Sequence, residues 1–131
     1  MPGRVADASV LAAIAYQEPE AEFALSLVHG ADLYEPNLLV YELANIARTK
    51  ILRDAERQAA ILMGLRTLLR TTISWVNIDA AALVDASIQA GLTAYDAAYL
   101  ETARSLGIDL VTFDGRLAEA ARKIDRLHPR G

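Results

Sequence analysis

The segment Asp109-Leu110-Val111-Thr112-Phe113-Asp114-Gly115-Arg116-Leu117 holds, in immediate succession, the clearest strand of the chain, an acid at its end and the opening of a helix. Asp109 to Phe113 is apolar and β-prone, and Gly115 to Lys123 continues with helical spacing. Outward from there, the same alternation recurs. Arg4 to Asp7 is a short strand candidate, followed by helices over Ala8 to Tyr16 and Glu20 to Val28 that break around Glu18-Pro19. Asp32 to Tyr34 reads as a strand; Asn37 is placed to cap a helix to about Leu52, and Asp54 to cap a long helix to about Arg70. Ile73 to Ile78 is β-rich, Asp79 opens a helix that Gly91 stops, and Thr93 opens one that ends at Leu106-Gly107. Strands alternating with helices predict an α/β fold with a parallel sheet covered by helices. The tail from Ile124 to Gly131 offers material for only a very short last strand, so the sheet is expected to have four or five.

A chain of 131 residues, 53% hydrophobic and 23% charged, can bury one proper core, and a single domain over residues 1–131 is expected. No run approaches the ~18 uninterrupted apolar residues of a membrane span, and the N-terminus lacks a signal pattern, so a soluble, cytoplasmic protein is expected. The absence of cysteine excludes disulfides, thiolate metal ligands and thiol nucleophiles. A net charge of -4 looks wrong for binding nucleic acid, whose phosphates are normally met by lysine and arginine. Setting aside four acids that could share a cation, however, leaves 13 acidic against 13 basic side chains.

Those four are Asp7, Glu42, Asp96 and Asp114. Ligands of open parallel sheets bind beyond the carboxyl ends of the strands, where Asp7 and Asp114 stand. Each also precedes a helix and could serve only as its N-cap. Asp96 has a similar alternative, because Thr93-Ala94-Tyr95-Asp96 fits a capping box. Glu42 is harder to dismiss: Leu39, Glu42, Leu43 and Ile46 follow the spacing of one apolar helical stripe, so a carboxylate is written into a buried face. Asp96 shares this conflict, lying near Tyr99, Leu100 and Ala103 on its helix while Glu101 and Ser105 lie much farther round.

A buried, unpaired carboxylate costs several kcal/mol, and several together repel, unless cations meet them. Arg48 and Lys50 point away from Glu42 by helical phase, so an ion pair would need a basic residue distant in the chain. Oxygen ligands without cysteine or a nearby histidine suit Mg²⁺ or Mn²⁺ rather than zinc. Phosphodiester hydrolysis is the natural chemistry of such a centre. A phosphatase with an Asp-x-Asp first strand is disfavoured because Ser9 occupies the second acid's place. A two-component receiver is disfavoured for want of an acidic pair after the first strand and a lysine after a late one.

Four blocks carry a resemblance: Val5-Ala6-Asp7-Ala8-Ser9-Val10-Leu11, Pro36-Asn37-Leu38-Leu39-Val40-Tyr41-Glu42-Leu43-Ala44-Asn45, Leu92-Thr93-Ala94-Tyr95-Asp96-Ala97-Ala98-Tyr99-Leu100 and Leu110-Val111-Thr112-Phe113-Asp114-Gly115-Arg116-Leu117. In order and spacing they resemble the signature blocks of PIN-domain ribonucleases, most of all the VapC toxins of VapBC toxin–antitoxin pairs. The resemblance runs from about Val5 to Lys123 and implies a PIN-like three-layer sandwich, a Mg²⁺ or Mn²⁺ site and endonucleolytic cleavage of RNA. It assigns Asp7, Glu42, Asp96 and Asp114 as the acids, and Ser9, Asn45 and Thr112 as the polar neighbours that orient them. It further implies a homodimer and inhibition by a cognate VapB antitoxin. A catalytically silent PIN-fold scaffold is the competing reading, and retention of all four acids speaks against it.

Arg48, Lys50 and Arg116 are candidates for tracking an RNA backbone, against the plainer reading of a solvated helix face. Trp75, in a β-rich run, is expected in the core rather than as a base-stacking platform. The helices on either side of Asp54 form an arm that either meets a partner or packs as ordinary core.

Overall fold

Backbone pairing turns the short apolar runs into one sheet. The structure, a computed structural model, describes residues 2–127. Four strands form, β1 (Gly3–Ala6), β2 (Asp32–Pro36), β3 (Ile73–Val76) and β4 (Asp109–Val111), in the spatial order β3-β2-β1-β4. All pairings are parallel, with Arg4 opposite both Leu33 and Asp109, and Glu35 opposite Trp75. The chain builds outward from β1 to β2 and β3 on one side, then returns to place β4 on the other. The strand order therefore reverses between β1 and β4, which is where open α/β sheets bind ligands. Asp7 follows β1 and Asp114 follows β4, so topology alone brings these two acids to that crevice.

Among the described residues seven α-helices flank the sheet: α1 (Ala8–Ala15), α2 (Ala21–Val28), α3 (Leu38–Arg53), α4 (Gln58–Arg70), α5 (Ala80–Ala90), α6 (Ala94–Leu106) and α7 (Gly115–Leu127). Helix α1 packs against α2, α3 and α4, while α6 lies on β1, β2 and β4 between α5 and α7. The seven residues Ala97 to Ala103 are all buried, so α6 is enclosed on every side over two turns. Asp79 and Thr93 cap α5 and α6 as expected, and Gly91 and Gly107 end them in the left-handed conformation that favours glycine. No helix among the described residues is long and apolar enough to cross a membrane.

Several expectations are corrected. The last helix does not stop at Lys123 but runs to Leu127, so Ile124 to Leu127 is helical and not strand; the rest of the tail lies outside the described residues. Four strands, not five, form among the described residues. Asn37 has helical backbone angles and makes no side-chain cap. Asp54 likewise caps nothing and sits at the bend into a short 3₁₀ turn, Ala55–Arg57, that separates α3 from α4. Trp75 is 41% exposed, because β3 is an edge strand paired on one side only.

Two close approaches fix the parts that carry the site. On α4, Gly64 passes so near the end of α1 that a Cβ there would lie 2.0 Å from the carbonyl oxygen of Ala15. The second involves Glu35, which has no solvent exposure. The β1–β2 ladder runs through Gly3–Asp32 and Arg4–Leu33; beyond it, Glu35 Oε2 accepts the backbone N–H of Ala6 at 2.9 Å. A side chain thus replaces a ladder bond immediately behind Asp7. Its other oxygen, Oε1, has no partner among the described residues. Burial pushes the Glu35 carboxyl up to about 9, helped by the charge of Asp7 and opposed by the Ala6 hydrogen bond.

Because its pKa is raised on folding, Glu35 binds more protons in the folded state than in the unfolded one. Its contribution is fully favourable below the ordinary value of 4.5 and is lost as pH rises toward about 9. Urea unfolding in metal-free buffer should show stability falling across that window, with a limiting slope of about 1.4 kcal/mol per pH unit from this group. Glu35→Gln should flatten the profile and be the more stable protein at the alkaline end; a flat wild-type profile counts against a buried neutral acid. Gly64→Ala should lower the urea midpoint, at a cost of about 3 kcal/mol, the upper part of the overpacking range. Unchanged stability in that variant would show that α1 and α4 separate freely.

Candidate active site

Asp7 is the most constrained of the four acids. It follows β1, adopts extended backbone angles and caps α1, its Oδ1 accepting Val10 N–H at 3.3 Å. The same oxygen accepts Ser9 Oγ–H at 2.6 Å, while Oδ2 accepts Thr112 Oγ1–H at 2.6 Å from the far side of the crevice. Both hydroxyls are held in turn: Ser9 Oγ accepts Phe113 N–H at 3.0 Å, and Thr112 Oγ1 accepts Asp114 N–H at 2.9 Å. The backbone closes the ring, with Asp7 N–H donating to Val111 O at 3.2 Å. Asp7 is only 6% exposed. Burial raises its carboxyl pKa, and the hydrogen bonds from Ser9, Thr112 and the α1 backbone pull it back.

Glu42 enters from α3 and is half-buried, its Oε1 accepting a short hydrogen bond from the hydroxyl of Tyr99 on α6. Its pKa is raised first by burial, then by the charges of Asp96 and Asp7, against the lowering effect of Tyr99. The charges of Asp96 and Asp7 therefore both reach Glu42. Tyr99 is itself buried, and its hydroxyl is pushed well up by burial, by the bond to Glu42, and by the charges of Glu42, Glu35 and Asp7. It stays protonated and can only donate to Glu42. Asp96 sits in the first turn of α6, where Thr93 Oγ1 accepts its backbone N–H at 3.2 Å. The reciprocal half of a capping box does not form among the described residues, so the Asp96 carboxylate is not engaged with Thr93.

Asp114 is exposed and heads α7. Its Oδ1 accepts the N–H groups of Arg116 at 2.9 Å and Leu117 at 3.3 Å. Its backbone is tied to the Asp7 network through Thr112, whereas its carboxylate serves the helix terminus. The acids thus form an open cluster: among the described residues no three acidic or histidine side chains close on a point at coordination distance. The distant ion-pair alternative finds no support, because the salt bridges among the described residues join Lys50 to Glu18, Arg104 to Glu101, and Arg122 and Arg126 to Glu119.

The supporting residues divide. Ser9 and Thr112 grip Asp7 directly. Asn45 does not orient an acid: it is exposed, and only its carbonyl is engaged, by Thr49 Oγ1 at 3.1 Å. Of the basic candidates, Lys50 is paired with Glu18 at 2.7 Å, the Arg116 guanidinium donates to Gly91 O at 3.0 Å, and Arg48 is exposed. Glu101, far round α6 from Asp96, is nevertheless buried and held by Arg104 at 2.7 Å, because that side of α6 is also covered. Two residues escaped the sequence reading. Glu35 falls just past the strand expected over Asp32 to Tyr34 and in fact lies within β2, and Tyr99 reads as part of an apolar stripe; neither carries a local sign of its partner.

Comparison with known proteins gives the family. The family described as PIN domain matches residues 4–123. Ribonuclease VapC3 of Pyrobaculum aerophilum is 35% identical over 123 residues, covering 88% of this chain and 92% of the relative. Among solved structures, PAE2754 from Pyrobaculum aerophilum superposes with a TM-score of 0.76 at 24% identity, over 98% of this chain and 97% of its own. The Mycobacterium tuberculosis toxin VapC20, described as cleaving the sarcin–ricin loop, gives a TM-score of 0.64 at 17% identity, over 89% and 94%. At those identities the two structures speak for the fold alone. With a family match that reaches from β1 into α7 and takes in all four acids, the chain belongs to the PIN-domain family.

Proposed function

We propose that this chain is a Mg²⁺- or Mn²⁺-dependent endoribonuclease toxin, hydrolysing RNA phosphodiester bonds and inhibited by a cognate VapB-type antitoxin. One observation carries the reading: Glu42, half-buried and held by the Tyr99 hydroxyl, stands within reach of the charges of both Asp96 and Asp7, and no ion pair among the described residues engages any of the three. The 35% identity to ribonuclease VapC3 supports RNA as the substrate class.

The donor set fits a hard divalent cation, being carboxylate and hydroxyl oxygen throughout, with no thiolate or imidazole. Asp7, Glu42 and Asp96 would hold the ion by drawing together around it, since no three acids among the described residues already close on one point, with Asp114 at the α7 side. When bound, it supplies charge for the scissile phosphate and makes an associated water more acidic. The chain's own residues do the rest. Ser9 and Thr112 each donate to one Asp7 oxygen, which fixes the carboxylate plane without neutralising its charge. Tyr99 fixes Glu42. Asp114 Oδ1 is taken by α7, so its Oδ2 is the oxygen that can accept a proton from the attacking water. Because burial raises the carboxyls of both Asp7 and Glu42, protons would compete with a cation for them, and cation affinity should strengthen as pH rises.

The same reading makes the protein a cytoplasmic homodimer. Tyr41, Asn45, Arg48 and Leu52 recur along one exposed side of α3, and Met63 is exposed on α4, a surface that suits a second copy or an antitoxin. Arg48 and Arg116 remain the basic residues proposed to meet the RNA backbone.

Purified protein should cleave single-stranded or structured RNA with Mg²⁺ or Mn²⁺ and fail in EDTA. Asp7→Asn and Asp96→Asn should each lower kcat by more than about a hundredfold, beyond the effect of losing an outer-shell partner. Cleavage that survives both substitutions overturns the assignment.

A further inference from the structure

On the β2–β3 side of the carboxylates, a cleft of about 330 Å³ opens between the ends of β2 and β3 and the first turns of α3 and α6. Pro36, Leu38 and Val76 form apolar wall, and Tyr95, Asn37 and Asn77 also line it. Its position relative to the acids follows from chain connectivity. Tyr95 immediately precedes Asp96, and Leu38 begins the helix that carries Glu42. Tyr95 is 66% exposed. Asn37 heads α3 without capping it, and neither asparagine amide is engaged in a side-chain hydrogen bond among the described residues.

The chemistry selects the occupant. No charged side chain lines the cleft, so it is not built for a phosphate or a basic peptide side chain. Its volume lies at the lower end of the ~300–1,000 Å³ typical of small-ligand pockets, enough for one planar heterocycle but not for a helix. An asparagine amide presents a donor and an acceptor side by side, matching the edge of a base, and an exposed tyrosine ring offers a stacking face. In a chain of net charge -4, phosphate attraction is weak, and base contacts must supply more of the affinity.

We propose that this cleft is a nucleobase subsite: it takes one unstacked base of the RNA beside the cleaved bond, with Tyr95 stacking on it and Asn37 and Asn77 reading its edge. The proposal rests on the ribonuclease reading for the identity of the ligand. RNA oligonucleotides carrying one abasic nucleotide, walked across the cleavage site, test it with the full-length protein and Mn²⁺. Wild type should show one position where losing the base raises KM by about tenfold, within the range of one stacking contact. Tyr95→Ala should show that higher KM on intact RNA, with kcat changed by no more than about twofold, and no further loss at the abasic position. Tyr95→Phe should restore the wild-type values, and Asn77→Ala should change which base is preferred there.

An unchanged KM in Tyr95→Ala, or an abasic penalty equal in both proteins, overturns the subsite. Loss of a dimer in Tyr95→Ala on size exclusion also overturns it, assigning the cleft to a contact between copies. Should wild type cleave no RNA, the ribonuclease reading fails separately. Quenching of a 2-aminopurine oligoribonucleotide by wild type but not by Tyr95→Ala would then still support the subsite, and quenching by neither would overturn it.

Discussion

Holding Asp7 in one orientation, while it is buried among other acids, is the constraint on which the carboxyl edge of the sheet depends. Two hydroxyls meet this need, Ser9 from its own helix and Thr112 from the end of β4, and each is fixed by a backbone N–H of the following loop. Neutral donors are the right choice here. An arginine or lysine would neutralise the carboxylate and leave nothing for a metal ion; a hydroxyl orients it and keeps its negative charge. Tyr99 treats Glu42 in the same manner, with a hydroxyl that burial keeps protonated.

The acids grade outward from this point. Glu35 lies deepest, neutral over most of the pH range, and gives an oxygen to Ala6 where the β1–β2 ladder has ended. Asp7 and Glu42 come next, with carboxyls that burial raises and neighbouring hydroxyls pull back. Asp96 is partly exposed and Asp114 fully so. Repulsion is therefore concentrated where the proposed cation would sit and falls off toward solvent. Capping and catalysis are not competing explanations in this arrangement. Asp7 and Asp114 both hold helix N-termini, and the helix backbone that they satisfy is what fixes where their remaining lone pairs point.

The surroundings of the cluster are aromatic more than basic. Tyr95 rises beside Asp96, and Phe113, whose N–H donates to Ser9, stacks on Phe23 with ring centroids 5.9 Å apart. Lysine and arginine near the site are largely engaged: Lys50 with Glu18, Arg116 with the carbonyl of Gly91.

The order of strands and helices, the caps at Asp7, Asp79, Thr93 and Asp114, and the glycine stops at Gly91 and Gly107 were legible in the sequence because each depends on residues within a few positions of one another. Glu42 and Asp96 stood out for a similar reason: an acid within an apolar helical stripe is a local contradiction. What joined them was decided only in three dimensions. Thr112 reaches Asp7 across 105 residues, Tyr99 reaches Glu42 across 57, and Glu35 reaches Ala6 across 29. No periodicity encodes such partners, so Glu35 reads as lying outside the strand that holds it and Tyr99 as part of an apolar stripe. The exposure of Trp75 and the burial of Glu101 likewise follow from an edge strand and an enclosed helix. Those are properties of how elements pack, and burial depends on neighbours that the local chain does not contain.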